Sequence, residues 1–522
     1  MEKTRIALEA NNLWYRYSVS QQWVLKNINF FVKEGETVAI VGPFGCGKTT
    51  LFRVLTGIAE KVYGGELRGE IRIFGKPVSE YSSKELTRHI GILFQNPMLQ
   101  FIEYVVEDDL YSFAEKYYSD HNYIERQIET VLDFFGIKKL RKKRVFELSG
   151  GELRKVAIAK LMMLKPRILL MDEPLLWLDQ RGVESFLKLL NILKSLGLTI
   201  VISEHRVLPL IPFVDKIIIM DNGHISSIKD VKKVLEDSVK EREYVFQSNR
   251  ITVGMNNILE NYPLDRLVAS KCMKDLCLEN VWFKYSKRSP WVLREVNFSA
   301  KLGELVVILG DNGSGKTTLL KIISGMLKPT RGRVIILGYN PAKKKNEVYF
   351  VPQVHHVSFS EETVFDEVAK IVCSGKNKHR NCEETVIKIL EQYGLVDKLY
   401  ESPYNLSWGQ QLLLNIVLAI LSERRIILFD EPTTGLSYAD KIAIARIIRR
   451  MGSLRILTTH DVDFAAMLKP SRLYMITGGK LYLIDVGAFI EKTIPIVKSA
   501  YELLKDILGE KLVGDIDVLD LA

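Results

Sequence analysis

Long hydrophobic runs are missing from this chain of 522 residues. A membrane-spanning helix needs roughly 18 consecutive apolar residues. The richest stretch, Leu412 to Leu421, is shorter and is broken by Asn415. It reads as a buried helix, so the chain is expected not to cross a membrane, which leaves docking onto something that does cross one open. The opening, Met1-Glu2-Lys3-Thr4-Arg5, lacks the apolar stretch of a signal peptide. Cysteine is scarce and scattered: Cys46, Cys272, Cys277, Cys373 and Cys382. Such usage predicts a reducing compartment, and no spacing among them fits a metal or iron–sulfur cluster. Glutamine is also sparse beside plentiful lysine, glutamate and isoleucine, a balance found in thermophiles. The net charge is +10, yet no basic arm carries it. The basic residues sit in short runs, Arg141-Lys142-Lys143-Arg144, Lys343-Lys344-Lys345 and Arg449-Arg450. These are expected to be solvated faces, with no specific nucleic-acid partner.

The length allows two to four domains, and a hydrophobic content of 47% allows each a sizeable core. One set of motifs then occurs twice. Gly42-Pro43-Phe44-Gly45-Cys46-Gly47-Lys48-Thr49 fits the phosphate-loop pattern, and so does Gly310-Asp311-Asn312-Gly313-Ser314-Gly315-Lys316-Thr317. Each loop is followed, in one order, by a glutamine, a Ser-x-Gly run, an Asp-Glu pair and a histidine. The lysines are 316 − 48 = 268 positions apart, the serines 407 − 149 = 258 and the aspartates 430 − 172 = 258. A repeat of this length means two homologous domains and excludes a solenoid.

Each half opens with a strand-rich segment, Ala7 to Tyr17 or Leu276 to Tyr285. Buried strands are expected at Thr37–Val41 and Leu305–Leu309, because continuous β-branched runs ending in a Gly-rich turn mark central parallel strands. A helix should begin at Lys48-Thr49-Thr50 and at Lys316-Thr317-Thr318. The regions 103–145 and 361–405 look helical. Further buried strands fall at 168–171, 198–202, 426–429 and 455–458. Strands alternating with helices give a mostly parallel α/β sheet. The join sets Arg242, Arg250, Arg266, Lys271 and Lys274 against Glu241, Glu243, Glu260 and Asp265, and so is almost neutral. The expected division is 1–240, a linker 241–274, 275–490, and an amphipathic helical tail 491–522.

The chemistry follows from the residue types. Backbone N–H groups of a Gly-rich loop wrap phosphates, and the helix that follows adds the positive end of its dipole. Lys48 and Lys316 place a charge between the phosphates, and Thr49 and Thr317 offer hydroxyls to Mg²⁺. Cys46 occupies a variable position of the loop as a space-filler. Asp172-Glu173 and Asp430-Glu431 end apolar strands, which puts their carboxylates at the sheet edge beside the phosphates. The aspartates are expected to hold Mg²⁺, and the glutamates to act as general bases on the attacking water.

Leu148-Ser149-Gly150-Gly151-Glu152 and Leu406-Ser407-Trp408-Gly409-Gln410 resemble the signature that separates ATP-binding-cassette (ABC) ATPases from other phosphate-loop proteins. The resemblance covers nearly the whole chain. It implies an α/β fold of two tandem P-loop NTPase domains, each a mixed, mostly parallel sheet with an antiparallel β subdomain and a helical subdomain. It implies that Gln95 and Gln353 touch Mg²⁺, that His205 and His460 contact the γ-phosphate, and that Tyr17 and Tyr285 stack on adenine. Both tyrosines lie 31 positions before their lysine (48 − 17 and 316 − 285). It further implies a head-to-tail pairing of the two halves around two ATPs. Ser149, Gly150 and Gly151 would then serve the site of Lys316, and Ser407 and Gly409 that of Lys48. The sites are expected to be unequal. Trp408 replaces a glycine, and Ser437 stands where the family usually has aspartate, whereas the first half keeps Asp179.

Within that family, Phe94-Gln95-Asn96-Pro97, an apolar stretch and Glu107-Asp108-Asp109 resemble the ATPase subunits of energy-coupling-factor transporters, importers of vitamins or transition-metal ions. The second half departs from this pattern at Val351-Pro352-Gln353. The resemblance implies a location on the cytoplasmic face of the cell membrane. It also implies a transmembrane scaffold and a substrate-binding membrane protein as partners, with Met98, Leu99, Phe101 and Ile102 receiving a coupling helix. The alternatives are a soluble tandem ATPase acting on ribosomes and a sugar-importer ATPase. Structural-maintenance and repair ATPases would need a coiled-coil insertion, and none is visible.

Overall fold

Strand pairing in the computed structural model gives each half of the chain one antiparallel and one mostly parallel sheet. The structure describes residues 5–18, 22–43, 45–176, 178, 180–205, 207–231, 233, 265–266, 275–373, 382–433, 436, 438–491, 493–494 and 505–506. The chain divides into two units, Met1–Phe246 with Leu503–Leu512, and Gln247–Glu502 with Val513–Ala522.

The first unit runs β1 (Ile6–Arg16), β2 (Leu25–Lys33), β3 (Thr37–Val41), α1 (Lys48–Leu55), β4 (Glu66–Ile73), β5 (Lys76–Pro77), α2 (Ser83–His89), β6 (Ile90–Leu93), α3 (Val106–Ala114), α4 (His121–Phe134), α5 (Gly150–Met162), β7 (Ile168–Asp172), α6 (Gln180–Ser195), β8 (Thr199–Ser203), β9 (Lys216–Asp221) and β10 (His224–Asp230). Its central sheet has the order β10-β9-β3-β8-β7-β6. All neighbours are parallel except β10 and β9. β3, β7 and β8 are buried at every position, as strands covered on both faces must be. The antiparallel sheet β2-β1-β4-β5 lies over α1, and one core joins Leu13, Ile28 and Ile71 to Leu51, Phe52 and Val38. A separate core of Leu110, Ile124, Ile128, Val156 and Met163 holds α3, α4 and α5 together.

The second unit repeats this plan. It runs β11 (Asp265–Arg266), β12 (Leu276–Phe283), β13 (Leu293–Ala300), β14 (Leu305–Leu309), α7 (Lys316–Ile323), β15 (Arg331–Ile336), β16 (Val348–Val351), α8 (Val364–Val372), α9 (Cys382–Gln392), α10 (Trp408–Leu421), β17 (Ile426–Asp430), α11 (Tyr438–Arg450), β18 (Leu454–Thr459), α12 (Val462–Leu468), β19 (Arg472–Thr477) and β20 (Lys480–Ile484). Its main sheet is β11-β20-β19-β14-β18-β17-β16 and its antiparallel sheet β13-β12-β15. The apolar stretch at 412–421 is a buried helix, as expected. Asn415 is fully buried there and donates to the carbonyl oxygens of His355 and Gln411, both at 3.1 Å. Among the described residues no helix is long and apolar enough to cross a membrane.

Register locates the spacing difference between the halves. Ile73 pairs with Leu8 and Ile336 with Leu276, so the offset there is 336 − 73 = 263. At Ile90 and Val348, which pair with the strands of the Asp-Glu motifs, it is 348 − 90 = 258. Five extra residues of the first unit thus fall between α1 and β4. Five more fall between β4 and β6, where α2 stands.

One expectation needs correction. The cysteines are not all solitary: Cys373 and Cys382 form a disulfide with Cα atoms 5.7 Å apart, and Cys277 is also disulfide-bonded. Nine positions separate the first pair in sequence, but the end of α8 returns to the start of α9, which brings the Cβ atoms within bonding reach. Cys46 is free and buried. The amphipathic tail lies almost wholly outside the described residues, as do Phe44, Asp179 and Ser437.

Candidate nucleotide site

Each phosphate loop turns directly from a central strand into a helix. Gly47 and Gly315 cap α1 and α7 at φ of 107° and 106°, values only glycine takes without strain. At Gly42 a Cβ would lie 2.2 Å from the carbonyl oxygen of Met220, and at Gly310 2.6 Å from Ile476 Cγ2. No side chain fits, so the backbone passes close to β9 and β19. The lysines fold back over their loops. Lys48 Nζ donates to the carbonyl oxygens of Gly42 at 2.7 Å and Pro43 at 3.0 Å. Lys316 Nζ does the same with Gly310 at 2.6 Å and Asp311 at 2.9 Å. The Cys46 thiol fills space beside Lys48 Nζ at 3.7 Å, and burial pushes its pKa up.

The carboxylates arrive from β7 and β17. Burial pushes the pKa of Asp172 and of Asp430 up. Asp430 Oδ1 accepts from the hydroxyls of Thr317 and Thr458, both at 3.0 Å. Asp172 Oδ1 accepts from Ser203. A buried carboxylate beside the first hydroxyl of the helix is the oxygen donor set of a hard cation that keeps further positions for phosphate and water. Thr49 with Asp172, and Thr317 with Asp430, therefore fit Mg²⁺.

Glu173 and Glu431 both adopt φ of +47°, a left-handed conformation that costs energy in a non-glycine residue. The turn aims each carboxylate back at its own phosphate loop. Burial alone would raise both pKa values, but neighbouring groups reverse the shift. Glu173 accepts from Gln95 Nε2 at 2.6 Å and pairs with His205 Nε2 at 2.7 Å. These contacts and the charge of Lys48 hold it below the usual range. Glu431 pairs with Lys316 Nζ at 2.8 Å and with His460 Nδ1 at 2.8 Å. Its pKa falls to about 2. The structure thus gathers lysine, glutamate and histidine in each unit. In the first unit the glutamine joins them through the Gln95–Glu173 bond; Gln353 of the second unit is half-buried.

Tyr17 and Tyr285 stand over the first turn of the helix. The Tyr17 hydroxyl is 3.1 Å from Thr50 Oγ1, and that of Tyr285 2.9 Å from Thr318 Oγ1. The signature serines cap α5 and α10. Ser149 and Ser407 each accept from the backbone N–H three residues on, and Glu152 and Gln410 return the bond. Each capping box satisfies the N–H groups of the cap and of the third helical residue, at the end of the helix where its dipole is positive. Trp408, standing where Gly150 does, packs instead on the buried His355 ring at 5.0 Å.

The chain was compared with known proteins. The ABC transporter family matches residues 25–176 and 293–434. A protein of Treponema denticola assigned as an ABC transporter ATP-binding protein is 32% identical over 88% of this chain and 92% of its own length. One from Methanosarcina mazei is 28% identical over 94% and 91%. Among solved structures, an archaeal ribosome recycling factor, aABCE1, covers 92% of this chain and 92% of its own at 21% identity and a TM-score of 0.57, a likeness of fold. CbiO1 of Clostridium perfringens, part of the transporter complex CbiONQ, covers 49% of this chain and 99% of its own at 31% identity, with a TM-score of 0.41. Two phosphate loops, two Asp-Glu pairs and two capped signature helices on one repeated α/β fold agree with the family match: this chain belongs to the ABC transporter family as an ATPase with two tandem ATP-binding domains.

Proposed function

We propose that the chain is the ATP-hydrolysing motor of a membrane importer of the energy-coupling-factor type, taking up a vitamin or a transition-metal ion that a separate membrane protein binds. The observation that carries this reading is the surface after Phe94-Gln95-Asn96-Pro97. Leu99 is 75% exposed and Tyr104 78%, with Met98 and Ile102 exposed beside them in sequence. Gln100, on the same turn, lines a cavity of about 360 Å³ with Ile58, Val62, Leu86 and Ile92. The segment is held rigidly: Asp109 accepts from the N–H of Ile102 at 2.7 Å and pairs with buried Lys160, which also donates to the carbonyl oxygen of Gln100. A fixed apolar surface suits the apolar face of an amphipathic helix, here one from a transmembrane scaffold.

In this reading the cassettes are 1–240 and 275–490, and they close head-to-tail on two ATPs. Each ATP lies between the phosphate loop of one cassette and the signature of the other. Lys316 turns to the phosphates and releases Glu431, whose pKa then rises toward the ordinary range, while Lys48 turns to the phosphates beside a Glu173 held by Gln95 and His205. Each glutamate accepts a proton from the attacking water, while His205 and His460 orient it and sense the γ-phosphate. Thr49 and Asp172 with Gln95, and Thr317 and Asp430 with Gln353, would hold Mg²⁺, which would neutralise the phosphate charge. Loss of the γ-phosphate removes contacts present only in the closed state, so the cassettes part and the transporter resets.

Fractionation tests this. Tagged protein should sediment with membranes and copurify with two small membrane proteins. Leu99→Asp with Ile102→Asp should release it while sparing ATP binding. Sedimentation with ribosomes would favour the soluble alternative, and copurification with a sugar-binding importer the other.

A further inference from the structure

The insertion between α1 and β4 has a definite structure. It forms a five-residue π-helical turn, Ala59–Tyr63, that among the described residues has no counterpart in the second unit. The hydroxyl of buried Tyr15 pins both ends of the turn, donating to the carbonyl oxygens of Ala59, at 3.2 Å, and of Gly64. The matching residue of the second unit, also 33 positions before its lysine (48 − 15 and 316 − 283), is Phe283, which has no hydroxyl. The turn and its anchor are thus present together in one unit and absent together in the other.

The turn brings Tyr63 to Tyr17. Their ring centres are 6.0 Å apart and their planes cross at 80°. Arg53 fixes the two rings relative to each other: its Nη1 donates to the Tyr17 hydroxyl at 3.2 Å, and its guanidinium lies 4.6 Å from the Tyr63 ring centre. Tyr63 is nevertheless 46% exposed. The result is a corner, with Tyr17 as floor and Tyr63 as wall. In the second unit Tyr285 meets Phe283 edge-on and is 62% exposed.

We propose that Tyr63 is a second purine-contacting aromatic, so that the first unit holds ATP more tightly than the second. This rests on the reading that Tyr17 and Tyr285 face adenine. A purine lying on Tyr17 turns its electropositive edge toward the electron-rich face of Tyr63, the arrangement that perpendicular aromatic pairs favour. The two phosphate loops share their helix-cap geometry and their lysine-to-carbonyl contacts, so the difference in ATP affinity proposed here arises at the base. It makes the first unit the retaining site and the second the exchanging one.

Titration calorimetry of the full chain, with ATP and with inorganic tripolyphosphate, tests the proposal. Tyr63→Ala should weaken one of two ATP-binding events by about five- to tenfold. It should leave the other event and tripolyphosphate binding unchanged, and Tyr63→Phe should behave as wild type. Unchanged ATP affinity in Tyr63→Ala overturns the proposal. So does an equal loss for ATP and tripolyphosphate, which would mark a merely structural turn. Tyr17→Ala separates the two readings: if it weakens ATP and Tyr63→Ala does not, only the present inference fails. If neither variant weakens ATP, the assignment of the tyrosines to adenine fails as well.

Discussion

Glu173 and Glu431 share a backbone conformation but not a set of partners. Gln95 and His205 hold the first; Lys316 and His460 hold the second. The trans donors proposed for them differ too, since Trp408 stands in the signature that would serve Glu173. Hydrolysis is therefore expected to be unequal. In single-turnover assays Glu431→Gln should lower the rate by about a hundredfold or more, the scale of a lost general base. Glu173→Gln should remove only the smaller, slower phase. Equal losses in the two variants would contradict this asymmetry. Much of this site is legible in the sequence, because phosphate loops and strand-terminal carboxylates are local patterns. The left-handed turn at the two glutamates is not. It follows from where β8 and β18 pair, through Ser203 and Thr458, whose carbonyl oxygens accept the glutamate N–H groups at 3.0 and 2.9 Å.

At the scale of elements, the two signature helices tie down the segment after the glutamine by different means. In the first unit a buried ion pair does it, Lys160 on α5 with Asp109 on α3 at 2.7 Å. In the second, Leu418 replaces the lysine, and the work passes to Asn415 and His355. The His355 ring is fully buried between Trp408 and the carbonyl oxygen of Pro352, which lies 3.0 Å from Nδ1, with His356 next along the chain. Burial pushes its pKa down from 6.5 to about 4. The unfolded chain takes up this proton near pH 6.5 and the folded chain only near pH 4. Stability therefore falls as the pH drops through that window and the loss levels off below it. Thermal unfolding between pH 4 and 7 should show a shallower acid loss for His355→Phe than for wild type, and parallel curves would rule the effect out. Sequence reading finds the helices here but not the ties between them, which depend on residues 60 apart meeting across a core. The same limit hid the disulfide between Cys373 and Cys382, and left the ten-residue spacing difference unplaced until strand register divided it.

At the scale of the molecule, two complete sets of motifs on one polypeptide permit two arrangements: each unit serves its own ATP, or each lends its signature to the other. The proposed head-to-tail pairing makes a prediction that separates them. Ser149→Arg places a bulky cation where the signature would meet a γ-phosphate. Ser149 also caps α5, so some loss of stability is expected, about 1 kcal/mol, and unfolding curves must show that the fold survives. If the signature acts in trans, Ser149→Arg disables the site of Lys316 and Glu431. The double variant with Glu431→Gln should then be no slower than Glu431→Gln alone, because both changes strike one site. The double variant with Glu173→Gln should lose the remaining turnover, because the changes strike both. The reverse pattern would mean that Ser149 serves the nucleotide of its own unit, and the importer mechanism would lose the ATP-dependent closure on which it relies.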